Sequence, residues 1–185
     1  MDGTCPLCRA KTPTSEEEQV KYLRPWVKKK KAWALAMMGQ YYRDGTSVKQ
    51  SYEMARMMFE QATQQDDASA MTDLGTMYYE GEGVEQSYAR AKEYYEQAAQ
   101  LGGATAQYYL GIMYYKGEGV EQSYERAIEY YEHAAQLGHA TAQYNLGVMY
   151  QNGIGVTQSY AKAREFYELA GDQSDPHALV NLGSL

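Results

Sequence analysis

The residues best suited to chemistry stand at the start of the chain. Cys5-Pro6-Leu7-Cys8-Arg9 spaces two thiols as C-x-x-C, and a closed structural zinc site needs four ligands. These are the only 2 cysteines, and the nearest histidine is His133. Cys5 and Cys8 are therefore a metal half site that cannot close within one copy. A redox dithiol is the weaker reading, because that motif opens a helix after a strand and no strand pattern is found. His133 and His139 become Gln97 and Gly103 one repeat earlier, so they belong to no repeated catalytic set. No Ser–His–acid constellation accompanies them. Glu80, Glu82, Glu118 and Glu121 fall in turns and read as solubilising charge. Gly117-Glu118-Gly119-Val120 is too short for a phosphate loop and lacks its lysine. The expectation is no enzyme, no small-molecule substrate and no cofactor in this chain.

The scaffold that would hold these groups is rich in tyrosine. Of 185 residues, 20 are Tyr against 2 Phe and 2 Trp. Tyrosine joins an apolar ring to a polar tip, which suits a thin body whose side chains lie near the surface. No run approaches the roughly 18 apolar residues of a membrane span, and the mean hydropathy is -0.66. The N-terminus lacks a basic region followed by an apolar core, so no secretory signal is read. With both cysteines before residue 10, the body has no disulfide framework. Cytoplasmic or nuclear residence follows. Net charge is -7 but uneven: residues 1–31 carry +4, which leaves -11 for residues 32–185. An acidic body repels phosphate backbones, which argues against nucleic acid as a partner.

A repeat organises everything after the N-terminus. Gly39, Gly75, Gly111, Gly147 and Gly183 are 36 residues apart, and Gly45, Gly81, Gly117 and Gly153 keep the same step. Gln-Ser-Tyr recurs at 50–52, 86–88, 122–124 and 158–160. Such self-similarity marks stacked supersecondary units. Residues 104–138 give the clearest unit. Ala104, Ala106, Tyr108, Leu110, Gly111 and Tyr114 have helical spacing, and Gly117 to Val120 breaks that helix. Ser123 sits where an N-cap belongs. A second helix follows through Ala127, Tyr130, Tyr131, Ala134 and Ala135, closed by Gly138. We call the two helices of each unit A and B.

A glycine inside helix A costs about 1 kcal/mol relative to alanine. Its recurrence implies close approach of the helix B backbone, with Ala127 and Ala134 as the matching small surface. Tyr114 and Tyr130 would fill the space between neighbouring hairpins. The register extends backward: Ser15 lies 36 residues before Ser51, and Ser15-Glu16-Glu17-Glu18 reads as a capping box. Residues 15–31 are then a degenerate helix B that caps the array, with Pro25 expected to kink it. The expected division is 1–14 disordered, 15–31 capping helix, and 32–185 repeats. The units are 32–67, 68–103, 104–139, 140–175 and a partial 176–185.

The pattern Ala104-x-Ala106…Leu110-Gly111-x-x-Tyr114, Gly117-x-Gly119-Val120, Arg126-Ala127…Tyr130-Tyr131…Ala134-Ala135…Gly138 closely resembles the Sel-one-like repeat, a relative of the tetratricopeptide repeat. The resemblance covers about residues 32–185. It implies an all-α, right-handed α-solenoid of helix–turn–helix units acting as a scaffold or adaptor for other proteins. The first unit departs from the pattern: Thr46-Ser47 replaces Glu-Gly in the turn, and Asp66-Asp67 replaces the closing glycine. By resemblance to tetratricopeptide repeats, a partner would meet a concave face lined by the A helices. The expected contacts are Thr72, Thr76, Tyr79, Tyr108, Ile112, Tyr115, Lys116, Tyr144, Val148 and Gln151. These positions vary between units while the framework barely changes, as in Thr76, Ile112 and Val148. The plainer alternative is ordinary solvated surface. Tyr108, Ile112 and Tyr115 are the most apolar group and the expected anchors for an extended peptide or helix.

Cys5-Pro6-Leu7-Cys8-Arg9 resembles the last ligand pair of a RING zinc finger. That leaves open either the tail of a RING protein, with zinc ligands upstream, or a metal-free remnant. In the first case the array would recruit substrates to a ubiquitin ligase. Lys28 to Lys31 could be a nuclear-import or acidic-partner patch. The simpler reading is a solvated helix end whose charge suits the helix dipole.

Overall fold

The computed structural model describes residues 15–171. The expected partial unit at 176–185 and the Cys5–Cys8 half site lie outside them. The described residues form nine helices and no strand. α1 (Glu16–Lys28) is followed by four A–B hairpins: α2 (Ala32–Asp44) with α3 (Tyr52–Thr63), α4 (Ala68–Glu80) with α5 (Tyr88–Gln100), α6 (Ala104–Lys116) with α7 (Tyr124–Gln136), and α8 (Ala140–Asn152) with α9 (Tyr160–Gly171). The described residues form two compact units that divide between Leu74 and Gly75. The fold class is the all-α helical-repeat class that the 36-residue period predicts.

Each residue of Gln-Ser-Tyr has a separate task. The Gln122 side chain donates to the Tyr115 carbonyl at 2.8 Å, and the Ser123 amide donates to the Tyr114 carbonyl at 2.9 Å. Both satisfy orphan carbonyls at the end of α6. The Ser123 hydroxyl accepts from the Arg126 amide at 3.2 Å, which caps α7. The same cap starts α1, α3, α5 and α9 through Ser15, Ser51, Ser87 and Ser159. Tyr124 backs the next unit, where a Cβ added to Gly155 would lie 2.5 Å from the Tyr124 Cβ. Only glycine fits there.

The helix A glycine has a different cause from the one expected. A Cβ on Gly111 would lie 2.5 Å from Cδ1 and Cε1 of Tyr131. Gly75 meets Tyr95, Gly147 meets Tyr167 and Gly39 meets Phe59 in the same way. What approaches is an aromatic ring from helix B, not the helix B backbone. Ala127 and Ala134 are fully buried beside it. Tyr114 and Tyr130 stack across the two helices of a single hairpin, with centroids 5.4 Å apart and planes 10° apart. Arg126 sits 5.0 Å above Tyr114 and donates to its hydroxyl at 2.9 Å.

The first unit reproduces the turn geometry with unfavourable residues. Asp66 (φ +57) and Ser47 (φ +54) hold the left-handed conformation that Gly102 and Gly119 hold elsewhere. The strain costs an L-residue about 1 kcal/mol or more. Asp67 compensates in part, since its carboxylate accepts from the Ala70 amide at 2.9 Å and caps α4. Asp66→Gly should therefore raise stability by about 0.5–1 kcal/mol, read as a higher denaturation midpoint. A lower midpoint would show that the Asp66 side chain contributes more than its backbone strain removes.

Candidate functional site

Helix A residues three and four apart share a face, so α6 presents Tyr108, Ile112, Tyr115 and Lys116 together. With Asn145, Val148 and Met149 of α8 and Tyr131 of α7, they line one cavity of about 380 Å³. Five of the ten sequence-expected contacts thus converge: Tyr108, Ile112, Tyr115, Lys116 and Val148. The remainder sit elsewhere. Thr72 is buried and donates its hydroxyl to the Ala68 carbonyl. Tyr79 is also buried; its hydroxyl donates to Glu118 and accepts from Lys116 at 3.1 Å. Thr76 hydrogen-bonds the Tyr95 hydroxyl at 3.2 Å. Gln151 accepts from the Tyr167 hydroxyl at 2.6 Å, and the Tyr144 ring leans on Tyr167 at 5.7 Å.

Tyr131, Asn145 and Met149 were not foreseen as site residues. Tyr131 passes beside Gly111, where no side chain blocks it, and so a helix B residue reaches the A-helix face. The Gly111–Tyr131 offset of 20 residues recurs at 39/59, 75/95 and 147/167, and this was the available signal. Asn145 faces Tyr108 and Tyr131 across the cavity, and its side-chain amide favours the ionised form of both phenols. Burial pushes the pKa of Tyr108 and Tyr131 up, so both phenols stay neutral.

The position of Asn145 explains where the cavity opens. Its counterpart one repeat earlier is Tyr109, whose ring stacks on Tyr95 at 4.9 Å and 3°. There an aromatic fills the space that Asn145 leaves open. Two repeats earlier the counterpart is Asp73 of α4, which accepts from Arg43 at 2.6 Å and from Gln40 at 2.8 Å. That face is closed by a half-buried ion pair. Burial raises the Asp73 pKa, and the bonds from Gln40 and Arg43 oppose the rise.

His139 packs on Tyr108, one of the residues that line the cavity. Its ring stacks on Tyr108 at 4.5 Å and 19°, and its Nδ1 accepts from the Ala142 amide, capping α8. Desolvation holds its pKa below the ordinary 6.5. The unfolded chain therefore takes up this proton first as pH falls below about 6.5, and stability falls with it. A protonated Nδ1 also cannot accept the capping bond. Between pH 7.5 and 5.5 the wild-type melting temperature should drop further than that of His139→Asn, which keeps a cap without titrating. Parallel pH profiles would exclude this role.

α6 and α8 together contain one ionised side chain, Lys116, whereas α7 alone carries Glu125, Arg126, Glu129 and Glu132. The face that α6 and α8 present is nearly uncharged, apolar and lined with phenols. Chemically it offers stacking, hydrogen bonds and one cation. Among the described residues no cluster of His, Cys, Asp or Glu could hold a metal. No helix among them is long and apolar enough to cross a membrane.

Hairpins of this geometry define a helical-repeat protein. The Sel1 repeat model matches residues 34–67, 68–103, 104–139 and 140–175, and the chain belongs to the Sel1 repeat family. Among solved structures it is similar to a Sel1 repeat protein from Oxalobacter formigenes, with 30% identity and TM-score 0.85, over 92% of this chain and 69% of the other. It is also similar to c5321, a protective antigen in uropathogenic Escherichia coli strains displaying an SLR fold. That likeness has 31% identity and TM-score 0.79, over 94% of this chain and 37% of the other. An immunity protein from Pseudomonas aeruginosa shares the fold at 24% identity and TM-score 0.67, over 93% and 64% of the two chains. Among curated proteins no sequence matches.

Proposed function

We propose that the chain is a non-catalytic interaction module that binds a peptide or helix of another protein on its A-helix face. The observation that carries this reading is the cavity between α6 and α8, open at the surface and lined by Tyr108, Tyr115 and Tyr131. Its apolar part, Ile112, Val148 and Met149, suits a single aliphatic or aromatic side chain. Asn145 and the phenols would satisfy the backbone polar groups of the incoming segment, and Lys116 stands at the rim. Tyrosine anchors of this kind dominate interface energetics because they bury large area at small entropic cost. No observation favours the ubiquitin-ligase alternative.

A random peptide library displayed on phage, panned on the full chain, tests the reading. Enriched peptides should bind the wild type and lose at least tenfold in affinity to Tyr108→Ala/Tyr115→Ala, with circular dichroism unchanged. No enrichment, or equal binding to the double variant, would refute it.

A further inference from the structure

The corner where α1 ends and α2 begins is left unused by the proposed function. Lys28, Lys29, Lys30 and Lys31 are all exposed there. Trp33 and Met37, four residues apart on one face of α2, are 44% and 42% exposed. Trp26 lies 5.8 Å from Trp33, and the Lys29 ammonium sits 5.1 Å over the Trp26 ring.

Local folding explains only half of the lysine run. Lys28 and Lys29 close α1, where positive charge complements the helix dipole. Lys30, however, has φ +52, in the register of Gly102 and Gly138. Glycine would hold that conformation without strain. Lys31 is the N-cap of α2 and makes no side-chain capping bond. Its counterparts Asp67 and His139 both cap their helices, and a cation there opposes the positive end of the helix. At two successive positions the chain keeps a lysine where the fold favours another residue. The acids of α1 do not neutralise the run: Glu17 and Glu18 begin the helix, roughly 15 Å away along its axis. That exceeds a screening length of about 8 Å.

We propose that this corner docks on an anionic lipid surface, with Lys28 to Lys31 at the headgroups and Trp33 and Met37 entering the interface. Lysine clusters beside tryptophan are what such surfaces recruit. A single-stranded nucleic acid fits less well. Base stacking needs open ring faces in series, but Trp26 is already covered by Lys29, and Met37 offers no ring.

The chain supplies its own reporter, because its 2 tryptophans, Trp26 and Trp33, both lie at this corner. The full chain is mixed with phosphatidylcholine vesicles, with and without phosphatidylserine. Tryptophan emission should shift to the blue only with phosphatidylserine, and the shift should reverse at high salt. Lys30→Gly/Lys31→Asp installs the residue types that the other repeats use at these positions. It should raise the melting temperature while weakening vesicle partition roughly a hundredfold, from the loss of two cations and the gain of one anion. No shift on either vesicle, an equal shift on both, or unchanged partition of the double variant would overturn the proposal. So would a shift on an oligothymidylate without one on vesicles, or a lower melting temperature in the double variant.

Discussion

Gly111→Ala should destabilise the protein by about 2 kcal/mol, although the same change stabilises an ordinary helix. Alanine gains about 1 kcal/mol over glycine in a helix interior. Here the added Cβ falls 2.5 Å from two carbons of the Tyr131 ring, inside any allowed contact. The ring is 2% exposed and lies 5.9 Å from the Tyr108 ring, so displacing it disturbs that contact and fills part of the cavity. Overpacking of this kind costs about 1–3 kcal/mol or more, and a rigid aromatic lies at the upper end. A double-mutant cycle isolates the cause. In a Tyr131→Ala background, itself destabilised by about 3–5 kcal/mol, Gly111→Ala should become neutral or stabilising. Denaturant unfolding of the four proteins gives the coupling directly. Equal effects in both backgrounds would return the explanation to the helix B backbone. Gly111→Leu should be worse than alanine in the wild type, since it places a whole side chain where the ring lies.

Asn145→Tyr should abolish peptide binding without unfolding the chain. Tyr109, at the equivalent position one repeat earlier, shows that an aromatic is compatible with this framework, stacked 4.9 Å from Tyr95. The same ring at 145 would stack on Tyr131 and occupy the cavity. A loss of at least thirtyfold in affinity for selected peptides is expected, because an anchor worth about 2 kcal/mol or more loses its pocket. The reciprocal change, Tyr109→Asn, should open a second cavity beside Tyr95 and lower stability by lost stacking and packing. Isothermal titration of both variants, with melting curves, separates the two effects. Full affinity in Asn145→Tyr would move the binding site off this face.

The repeat was legible because its positions obey one local rule each. Ser123 caps, Gln122 closes the preceding helix, and Gly117 takes a left-handed turn (φ +76). These depend on neighbours within eight residues, so the sequence displays them. The same locality preserved the first unit: Asp66 and Ser47 adopt the glycine conformations because the surrounding hairpin dictates them.

The site was only half legible. Helical spacing placed Tyr108, Ile112, Tyr115 and Lys116 on one face, and variation between units singled out Val148. Asn145 varies as much, from Asp73 to Tyr109 to Asn145, yet whether that position plugs or opens a cavity depends on how its own side chain packs against the helix B ring of the preceding hairpin. Tyr131 looked like framework because it recurs. Its role follows from sliding past Gly111, which sequence spacing records but does not interpret. Thr72 and Tyr79 show the converse, since a variable position can still be buried by its neighbours. Period, caps and helix faces are set by short-range bonding, and the sequence by itself determined them. Which gap between helices stays empty is set by side-chain volume across three helices, and only the tertiary structure decided that.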